Sequence, residues 1–318
     1  MKTYLGVDGG GTKTKFVLCD ETGRILAENT QPTCHYLQRG LDSVTQVLRD
    51  GLSALCADSG TAPEDIAHAF VGCAGYDDVE EDKVPIEKAA AKGLPETPHM
   101  VGNDSENAMA GALGGACGIN LIAGTGSIGC GRNEAGAFLR CGGWHHGLLG
   151  DEGSGYWISI HLLWEFTRQS DGRAEQTPLY DAVRQALSLQ SDGEVIKRVV
   201  EQWGMDRTKI AALSPLAGTL YAAGDPCAAA ILEEGAEELA SIASALYRKL
   251  GFTGTVPVSY TGGVFKMGAP ILNPLERHLS NNHMRLTAPL LPPDRGALIL
   301  ALQADGVTIT DEILKNMA

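Results

Sequence analysis

Near its start the chain reads Asp8-Gly9-Gly10-Gly11-Thr12-Lys13, directly after the apolar run Tyr4-Leu5-Gly6-Val7. An apolar run that ends in an Asp and three successive glycines predicts a strand that turns sharply. Strand-forming residues resume at 14–19, so we expect a β-hairpin. Because glycine has no Cβ, the backbone at the tip can approach a ligand closely.

The predicted tip carries groups that suit a metal-bound polyphosphate. The N–H groups of residues 9–11 and the side chains of Thr12 and Lys13 can meet phosphate oxygens. Asp8 can meet a hydrated Mg²⁺, an ion that keeps several waters and binds few carboxylates. The alternative is a Gly-rich hairpin without a ligand. A tight hairpin needs only one or two glycines, so three beside an Asp favour phosphate.

Length and composition limit the class of protein. A chain of 318 residues exceeds one typical core and predicts two domains. The formal net charge of −14 argues against nucleic acid or an anionic membrane as the main partner. Eight cysteines without a C-x-x-C pair are typical of reduced thiols in a cytosolic protein. No apolar stretch reaches ~18 residues and no signal-peptide pattern opens the chain, so we expect a cytoplasmic protein without membrane contact.

The order of predicted elements indicates a duplication. Three strands open the chain, and strands then alternate with helices from residue 41 to residue 114, which is typical of an α/β fold. A second opening begins at Ile119, passes through Gly124-Thr125-Gly126-Ser127 and continues to a strand at 135–139. We expect one domain over residues 1–114 and another over 115–294. The C-terminal helix, from about 295 to 318, is expected to pack back on the first domain.

Residues 124–129 match G-x-G-x-x-G, the pattern of a dinucleotide site. That site needs a helix starting at the loop, to receive the pyrophosphate on its N-terminus. Residues 130–136 turn and re-enter a strand instead, and the chain contains no G-x-x-x-x-G-K-[ST]. With those two kinds of site excluded, the chain still has three Gly-rich turns that each directly follow a predicted strand, at 9–11, at 124–126 and at Gly262-Gly263. Two hairpins can hold a polyphosphate, and the third turn, ahead of a helix, can take the nucleoside.

These three turns resemble the phosphate-1, phosphate-2 and adenosine motifs of the actin-like ATPase superfamily of sugar kinases, Hsp70 and actin. More narrowly, Cys141-Gly142-Gly143-Trp144 and the block at 149–158 resemble the BadF/BadG/BcrA/BcrD ATPase family, and within it the N-acetylglucosamine kinases. The resemblance covers most of the chain, in the same motif order. It implies a duplicated ribonuclease H-like fold, with two domains around a nucleotide cleft, that uses ATP and Mg²⁺.

The resemblance also implies roles for single residues. Asp104, behind the predicted strand at 99–101, would accept the proton of the sugar hydroxyl, and Asp8 would orient Mg²⁺ through water. One carboxylate near the nucleophile is what phosphoryl transfer requires beyond positioning and charge neutralisation. The alternative for Asp104 is a purely structural helix N-cap.

The implied sugar contacts come from several segments, namely Cys34, His35, Ser127, Gly143, Trp144 and Asp151. Trp144 would cover an apolar sugar face, or it would simply pack in the core. Two features depart from the family pattern. Cys34 stands where the N-acetylglucosamine kinases offer an Asn, and Trp144-His145-His146-Gly147 is one residue longer than the usual spacing. Both concern the sugar, so they leave open which amino sugar binds.

The resemblance therefore implies an ATP-dependent amino-sugar kinase. It would phosphorylate N-acetylglucosamine, or a relative such as glucosamine or N-acetylmuramic acid, at the 6-hydroxyl, and a homodimer is usual in the family. The alternative is an ATPase activator of a 2-hydroxyacyl-CoA dehydratase or benzoyl-CoA reductase system. Such activators hold an Fe–S cluster with cysteines of two subunits, for which Cys130 and Cys141 are the candidates.

Overall fold

The structure, a computed structural model, describes residues 2–148 and 150–318. It divides into two compact units. The first contains the chain up to Cys117 together with Ala288–Ala318, and the second is Gly118–Thr287. The chain thus changes unit after Cys117 and Thr287, where the sequence predicts boundaries after residues 114 and 294. Leu149, the first residue of the family-like block at 149–158, lies outside the described residues.

The strands are β1 (Thr3–Gly9), β2 (Lys13–Asp20), β3 (Ile25–Pro32), β4 (Ile66–Cys73), β5 (His99–Asn103), β6 (Gly118–Ala123), β7 (Ser127–Arg132), β8 (Phe138–Gly142), β9 (Val256–Thr261) and β10 (Met284–Leu286). The helices are α1 (Tyr36–Arg39), α2 (Leu41–Ser59), α3 (Lys83–Gly93), α4 (Asp104–Leu113), α5 (Gly155–Ser170), α6 (Pro178–Leu187), α7 (Arg207–Ala211), α8 (Pro215–Ala222), α9 (Pro226–Lys249), α10 (Ala269–Ser280), α11 (Pro293–Ala304) and α12 (Asp311–Met317). A π-helix spans Ile196–Gln202.

The first unit is a mixed sheet with helices on both faces. Its strand order is β3-β2-β1-β4-β5, antiparallel among β1 to β3 and parallel from β1 through β4 to β5. Neighbouring residues of a strand point to opposite faces. Leu5 therefore joins the core with α2 and α3, while Tyr4 joins a second core with Leu298 of α11 and Ile313 of α12.

The second unit repeats this arrangement. Its sheet has the order β10-β9-β6-β7-β8, with β6, β7 and β8 antiparallel and β9 and β10 added in parallel. Leu121 of β6, Ile158 of α5 and Leu239 of α9 are fully buried in its core. The prediction of an α/β fold with a duplicated strand–turn–strand–strand opening is confirmed. Among the described residues, no helix combines the length and the apolar character that crossing a bilayer requires.

Two element boundaries differ from the sequence prediction. The third strand of the second unit begins at Phe138, because Asn133 and Ala137 close a turn ahead of it. The sequence pattern also predicts a helix over residues 79–92, but helix α3 begins at Lys83, after a single 3₁₀ turn at Glu80–Asp82. Both shifts concern the residues at the start of an element, where local turns compete with regular structure.

Candidate active site

The first Gly-rich turn closes a tight hairpin. Asp8 pairs with Lys15 and Gly9 with Thr14, and the Gly10 N–H donates to the Lys13 carbonyl at 3.1 Å. The tip consists of residues 11 and 12, both exposed, and no partner for their N–H groups exists among the described residues. The tip therefore offers two backbone donors to a ligand, as the phosphate prediction requires.

Glycine at position 9 is required by packing. A Cβ there would lie 2.4 Å from Cys34 Sγ and 2.7 Å from the Gly72 carbonyl oxygen. At Gly10 and Gly11 the nearest atom would be at 3.7 and 3.8 Å, an ordinary van der Waals contact. The three glycines thus differ: the first fits the strand into the unit, whereas the next two leave open space at the tip.

Asp8 lies at the end of β1 and is partly buried. Burial raises the pKa of its carboxyl from 3.8 to about 6. A hydrogen bond from Asn107 Nδ2 to Asp8 Oδ1, at 3.0 Å, opposes that rise, as do the charges of Lys15 and Lys13, whereas Asp294 adds to it. A carboxylate that is costly to ionise and lies next to free N–H donors fits a cation site, since a bound cation would favour the charged form.

Asp104 is the first residue of α4, and it is not the cap. Asn103 is the N-cap: its Oδ1 accepts from the Ser105 N–H at 3.0 Å, and the Glu106 side chain accepts from the Asn103 N–H at 3.2 Å. The Asn103 Nδ2 donates to the Tyr76 carbonyl at 2.6 Å. The structural role considered for Asp104 therefore belongs to its neighbour, and Asp104 sits partly exposed in the first turn of the helix.

Cys34 lies in the loop of the first unit that is predicted to contact the sugar. The Cys34 side chain is fully buried, and its N–H donates to Thr14 Oγ1 at 2.9 Å. In this conformation the Cys34 thiol is not accessible to a substrate, so a contact at this position can involve only backbone atoms. His35 is partly buried, and burial lowers the pKa of its imidazole, with its Nδ1 atom unpaired within the described chain.

The second Gly-rich turn, in the second unit, is braced by the start of α5. The Gly124 carbonyl accepts from the Gly155 N–H at 2.8 Å and the Thr125 carbonyl accepts from the Tyr156 N–H at 3.3 Å. A Cβ at Gly124 would meet nothing within 4 Å. The turn is therefore rigidly held from behind while its outer side at Gly124 stays open.

An ion pair covers the same turn at Gly126. Asp151 is 3% exposed, and it accepts from the Ser127 N–H at 3.1 Å through Oδ1 and from Arg207 Nη2 at 2.7 Å through Oδ2. A Cβ at Gly126 would lie 1.8 Å from Arg207 Nη2. Ser127 Oγ donates to the Glu152 carbonyl at 2.6 Å. The structure thus brings Ser127 and Asp151 together, as predicted sugar ligands, but both already have partners.

Trp144 does not pack in the core, because its side chain is 71% exposed. Its carbonyl oxygen would lie 1.7 Å from a Cβ at Gly150, so the segment of Gly143 and Trp144 packs directly against the residue before Asp151. Core packing, the alternative for Trp144, is therefore wrong. An exposed indole can cover the apolar face of a sugar.

The third turn lies beside the second. β9 runs parallel to β6, and Gly262 directly follows β9 in the chain. The Gly262 backbone lies so close to β6 that a Cβ there would be 2.3 Å from the Ala123 carbonyl oxygen. Gly263 has open space around it. Both turns thus follow the carboxyl ends of neighbouring parallel strands, the edge where α/β sheets bind ligands.

Three side chains of these sites were missed by the sequence prediction. Lys15 could have been predicted from the sequence, because a hairpin with a two-residue tip pairs it with Asp8 on the neighbouring strand. Asn107 left a weaker signal, three residues after Asp104 on one helix face. Arg207 left none, since 56 residues separate it from Asp151.

The chain has relatives among known proteins. It matches the BadF/BadG/BcrA/BcrD ATPase family over residues 5–301. It is 29% identical over 314 residues to an N-acetyl-D-glucosamine kinase of Dictyostelium discoideum, covering 95% of this chain and 98% of the relative. It is 30% identical over 304 residues to an N-acetylmuramic acid/N-acetylglucosamine kinase of Clostridium acetobutylicum, with the same coverage.

A solved structure shares the fold. A proposed N-acetylglucosamine kinase from Chromobacterium violaceum superimposes with a TM-score of 0.70 at 28% identity, covering 94% of this chain and 99% of that one. A ROK family glucokinase from Streptomyces griseus, at 18% identity and a TM-score of 0.54, has the same fold.

Proposed function

We propose that this chain, which belongs to the BadF/BadG/BcrA/BcrD ATPase family, is an ATP-dependent kinase of amino sugars. One observation in the first unit carries the proposal. The start of α4 organises two carboxylates at once, because Asn103 caps the helix ahead of Asp104 and Asn107 holds Asp8. Asp8 directly precedes the Gly-rich tip, whose exposed N–H groups have no partner in the part of the chain described.

The residues present fit a magnesium-bound nucleotide. The free N–H groups at the first tip and the open backbone at Gly124 and Gly263 suit phosphate and nucleoside contacts. Asp8 offers a carboxylate, the ligand type that Mg²⁺ prefers. When bound, the metal would neutralise charge on the transferred phosphate. We therefore keep the predicted nucleotide ligands, from Gly9 through Lys13 and at residues 124–126 and 262–263, as proposals.

In the proposed reaction Asp104 accepts the proton of the sugar hydroxyl as that oxygen attacks the terminal phosphorus of ATP. The bond from this phosphorus to the bridging oxygen breaks, and ADP leaves. Asp104 lies in the first turn of α4, and the residue that caps this helix is Asn103. Positive charge from the helix N-terminus stabilises the ionised carboxylate there, typically by about 0.3–1 kcal/mol. A carboxylate positioned beside the attacking hydroxyl suits proton abstraction.

The proposed acceptor is N-acetylglucosamine or a related amino sugar, phosphorylated at the 6-hydroxyl. The curated relatives named above act on N-acetylglucosamine and on N-acetylmuramic acid, and a third is named a glucosamine kinase, from Vibrio cholerae, at 26% identity. The exposed Trp144 and the paired Ser127 and Asp151 are the contacts we propose for the sugar in the second unit. His35 stays a predicted contact.

The ATPase-activator alternative loses Cys130, one of its two candidate cluster ligands, while Cys141 in β8 is only partly buried. Cys130 is fully buried in β7, and its thiol contacts the Asn120 carbonyl at 3.8 Å. A cluster shared by two subunits needs cysteines at the surface, where Cys130 does not lie. The homodimer and the cytoplasmic location stay predictions.

A coupled assay of ADP release tests the proposal. Glucose, glucosamine, N-acetylglucosamine, N-acetylmannosamine and N-acetylmuramic acid are each added to enzyme with ATP and Mg²⁺. We expect ADP release that depends on an amino sugar and is absent without Mg²⁺. Release that no sugar changes, together with iron in the anaerobically purified protein, would favour the activator instead.

A further inference from the structure

Asn107 is fully buried, contacts the Asp8 carboxylate and lies on the same helix as Asp104. It lies on α4, three residues after Asp104, so both project from neighbouring turns of one helix. Its Nδ2 donates to the Val7 carbonyl at 3.1 Å and to Asp8 Oδ1 at 3.0 Å. The bond to the strand backbone fixes the amide, and the second N–H is then aimed at the carboxylate.

The surrounding chain is shaped to admit this side chain. Gly72 of β4 stands beside Asp8 in the parallel register, and a Cβ there would lie 2.0 Å from Asn107 Nδ2. Gly296 of α11 packs against the same residue, since a Cβ at that position would lie 1.9 Å from the Asn107 carbonyl oxygen. Gly72 thus leaves room for the Asn107 side chain, whereas Gly296 lets α11 approach the backbone of α4 at the same residue.

The arrangement is not explained by packing alone. The Oδ1 atom of Asn107 is buried without a partner among the described residues. A buried polar atom left unsatisfied costs about 1–3 kcal/mol, which an apolar side chain of the same size avoids. The amide is therefore accounted for by its donor bonds, one to the Val7 carbonyl and one to Asp8.

We propose that Asn107 is a positioning residue that holds the Asp8 carboxylate in the orientation in which it receives the hydrated cation. The inference rests on the function proposed above and deepens it. Because Asn107 occupies Oδ1, it leaves Oδ2, which has no hydrogen-bond partner in the described chain, to the waters of the ion. Because Asn107 and Asp104 share α4, the cation ligand and the base are tied to one rigid element.

The chemistry of the donor favours an amide over other residues. A lysine would neutralise Asp8 and compete with the cation, and an aspartate would add a second negative charge or require a proton. Asparagine donates without carrying charge, so Asp8 keeps its full attraction for a divalent ion. Leucine has the same number and branching of side-chain heavy atoms without a donor, which makes it the informative substitution.

The experiment compares Asn107→Leu with wild type in the full-length protein. We measure kcat, the KM of the sugar, the Mg²⁺ concentration for half-maximal rate and the thermal unfolding temperature. Loss of a residue that orients a metal ligand typically lowers metal affinity or activity by about 10–100-fold. We therefore expect kcat to fall and the Mg²⁺ requirement to rise by about that factor, with the KM of the sugar changed less than about twofold.

Asn29→Leu serves as the control. Asn29 Nδ2 also donates to a backbone carbonyl of the first unit, that of Gly51 at 2.7 Å, but it lies on β3, two strands away from the β1 strand that carries Asp8. It should leave the Mg²⁺ requirement unchanged. A kcat and Mg²⁺ requirement for Asn107→Leu that match those of Asn29→Leu would overturn the proposal.

A double-mutant cycle separates positioning from a general structural role. In an Asp8→Asn background, Asn107→Leu should cause no further loss of kcat, because the carboxylate that it orients is gone. Independent, additive losses would contradict the inference. If Asn107→Leu does not fold, Asn107→Ser, which is too short to reach Asp8, replaces it in the same cycle.

A binding measurement keeps this inference distinct from the proposed function. If wild type transfers phosphate to no sugar, the function fails, and Mg²⁺-dependent binding of a fluorescent ATP analogue is measured instead. Asn107→Leu should then weaken binding in the presence of Mg²⁺ and leave binding in EDTA unchanged. Equal binding by wild type and variant at every Mg²⁺ concentration would overturn the inference.

Discussion

At the scale of single residues, two glycines of one turn have different reasons to be glycine. Gly126 lies beneath the Asp151–Arg207 ion pair, where a Cβ would be 1.8 Å from the guanidinium. Gly124 has no atom within 4 Å of the place where a Cβ would be. The first therefore serves the fold, whereas the second leaves the backbone accessible to a ligand, as we propose.

Gly126→Ala should separate Arg207 from the nearly buried Asp151. Because breaking a buried ion pair is costly but the Arg207 side chain is 35% exposed, we expect a loss of about 1–3 kcal/mol in unfolding free energy. Gly124→Ala should change it by less than about 0.5 kcal/mol while raising the KM of ATP. Urea unfolding and initial-rate kinetics check both. Equal destabilisation by the two substitutions would contradict this distinction.

Asp104→Asn tests the proposed base. The amide keeps the shape of the side chain but cannot accept the hydroxyl proton, so kcat should fall about 10²–10⁴-fold. Nucleotide binding should persist, because Asp104 is not a proposed nucleotide ligand. Rates measured beside calorimetric titration with ADP give both quantities. Wild-type turnover in this variant would remove Asp104 from the mechanism.

At the scale of elements, the sequence predicted those whose signals are local. The hairpin at Asp8 follows from three glycines between apolar runs, and α9 follows from Asp225 and Pro226 at its start. The sequence prediction begins strand β8 at residue 135, before its observed start, because the turn closed by Asn133 has no sequence signal that distinguishes it from a strand. Arg207 could not be found at all, since its pairing with Asp151 exists only after α7 packs beside the second turn.

Helix α9 carries an acidic face with a predicted pH response. Partial burial raises the pKa of Glu238, and the nearby carboxylates of Glu152, Glu234 and Glu237 add to the rise. A raised carboxyl pKa in the folded state favours folding below the ordinary value of 4.5, and that contribution is lost as the pH rises through the raised pKa.

Glu238→Gln should therefore stabilise the protein at pH 8 and not at pH 4. The repulsion between Glu234 and Glu238, four residues apart on the helix, alone accounts for about 0.2–0.5 kcal/mol. Glu237→Gln, at an exposed position of the same helix, should give a smaller gain. Unfolding free energies at both pH values check this, and a gain that is equal at pH 4 and pH 8 would be inconsistent with it.

At the scale of the whole molecule, the chain returns to its first unit at the end. Ala288–Ala318 belongs to that unit, and Leu298 of α11 is fully buried beside Tyr4 of β1. The fold of the first unit therefore depends on residues nearly 300 positions away from its first strand. Sequence patterns predicted that helix but could only suggest where it packs.

Leu298→Ala should destabilise the first unit by about 2–5 kcal/mol, as truncation of a buried leucine does. Leu290, 60% exposed in the same segment, provides the matched control, and Leu290→Ala should have little effect. Calorimetry with limited proteolysis shows whether the lost protection lies in the first unit. Protection equal to wild type in that unit would contradict the assignment of α11 to its core.

The most direct test of the central claim is the identity of the product. N-acetylglucosamine labelled with ¹³C at carbon 6 is incubated with enzyme, ATP and Mg²⁺, and the mixture is followed by ¹³C and ³¹P NMR. The account predicts phosphorus coupling at carbon 6, with one sugar phosphate formed for each ADP. Inorganic phosphate as the product, with every amino sugar recovered unmodified, would contradict it.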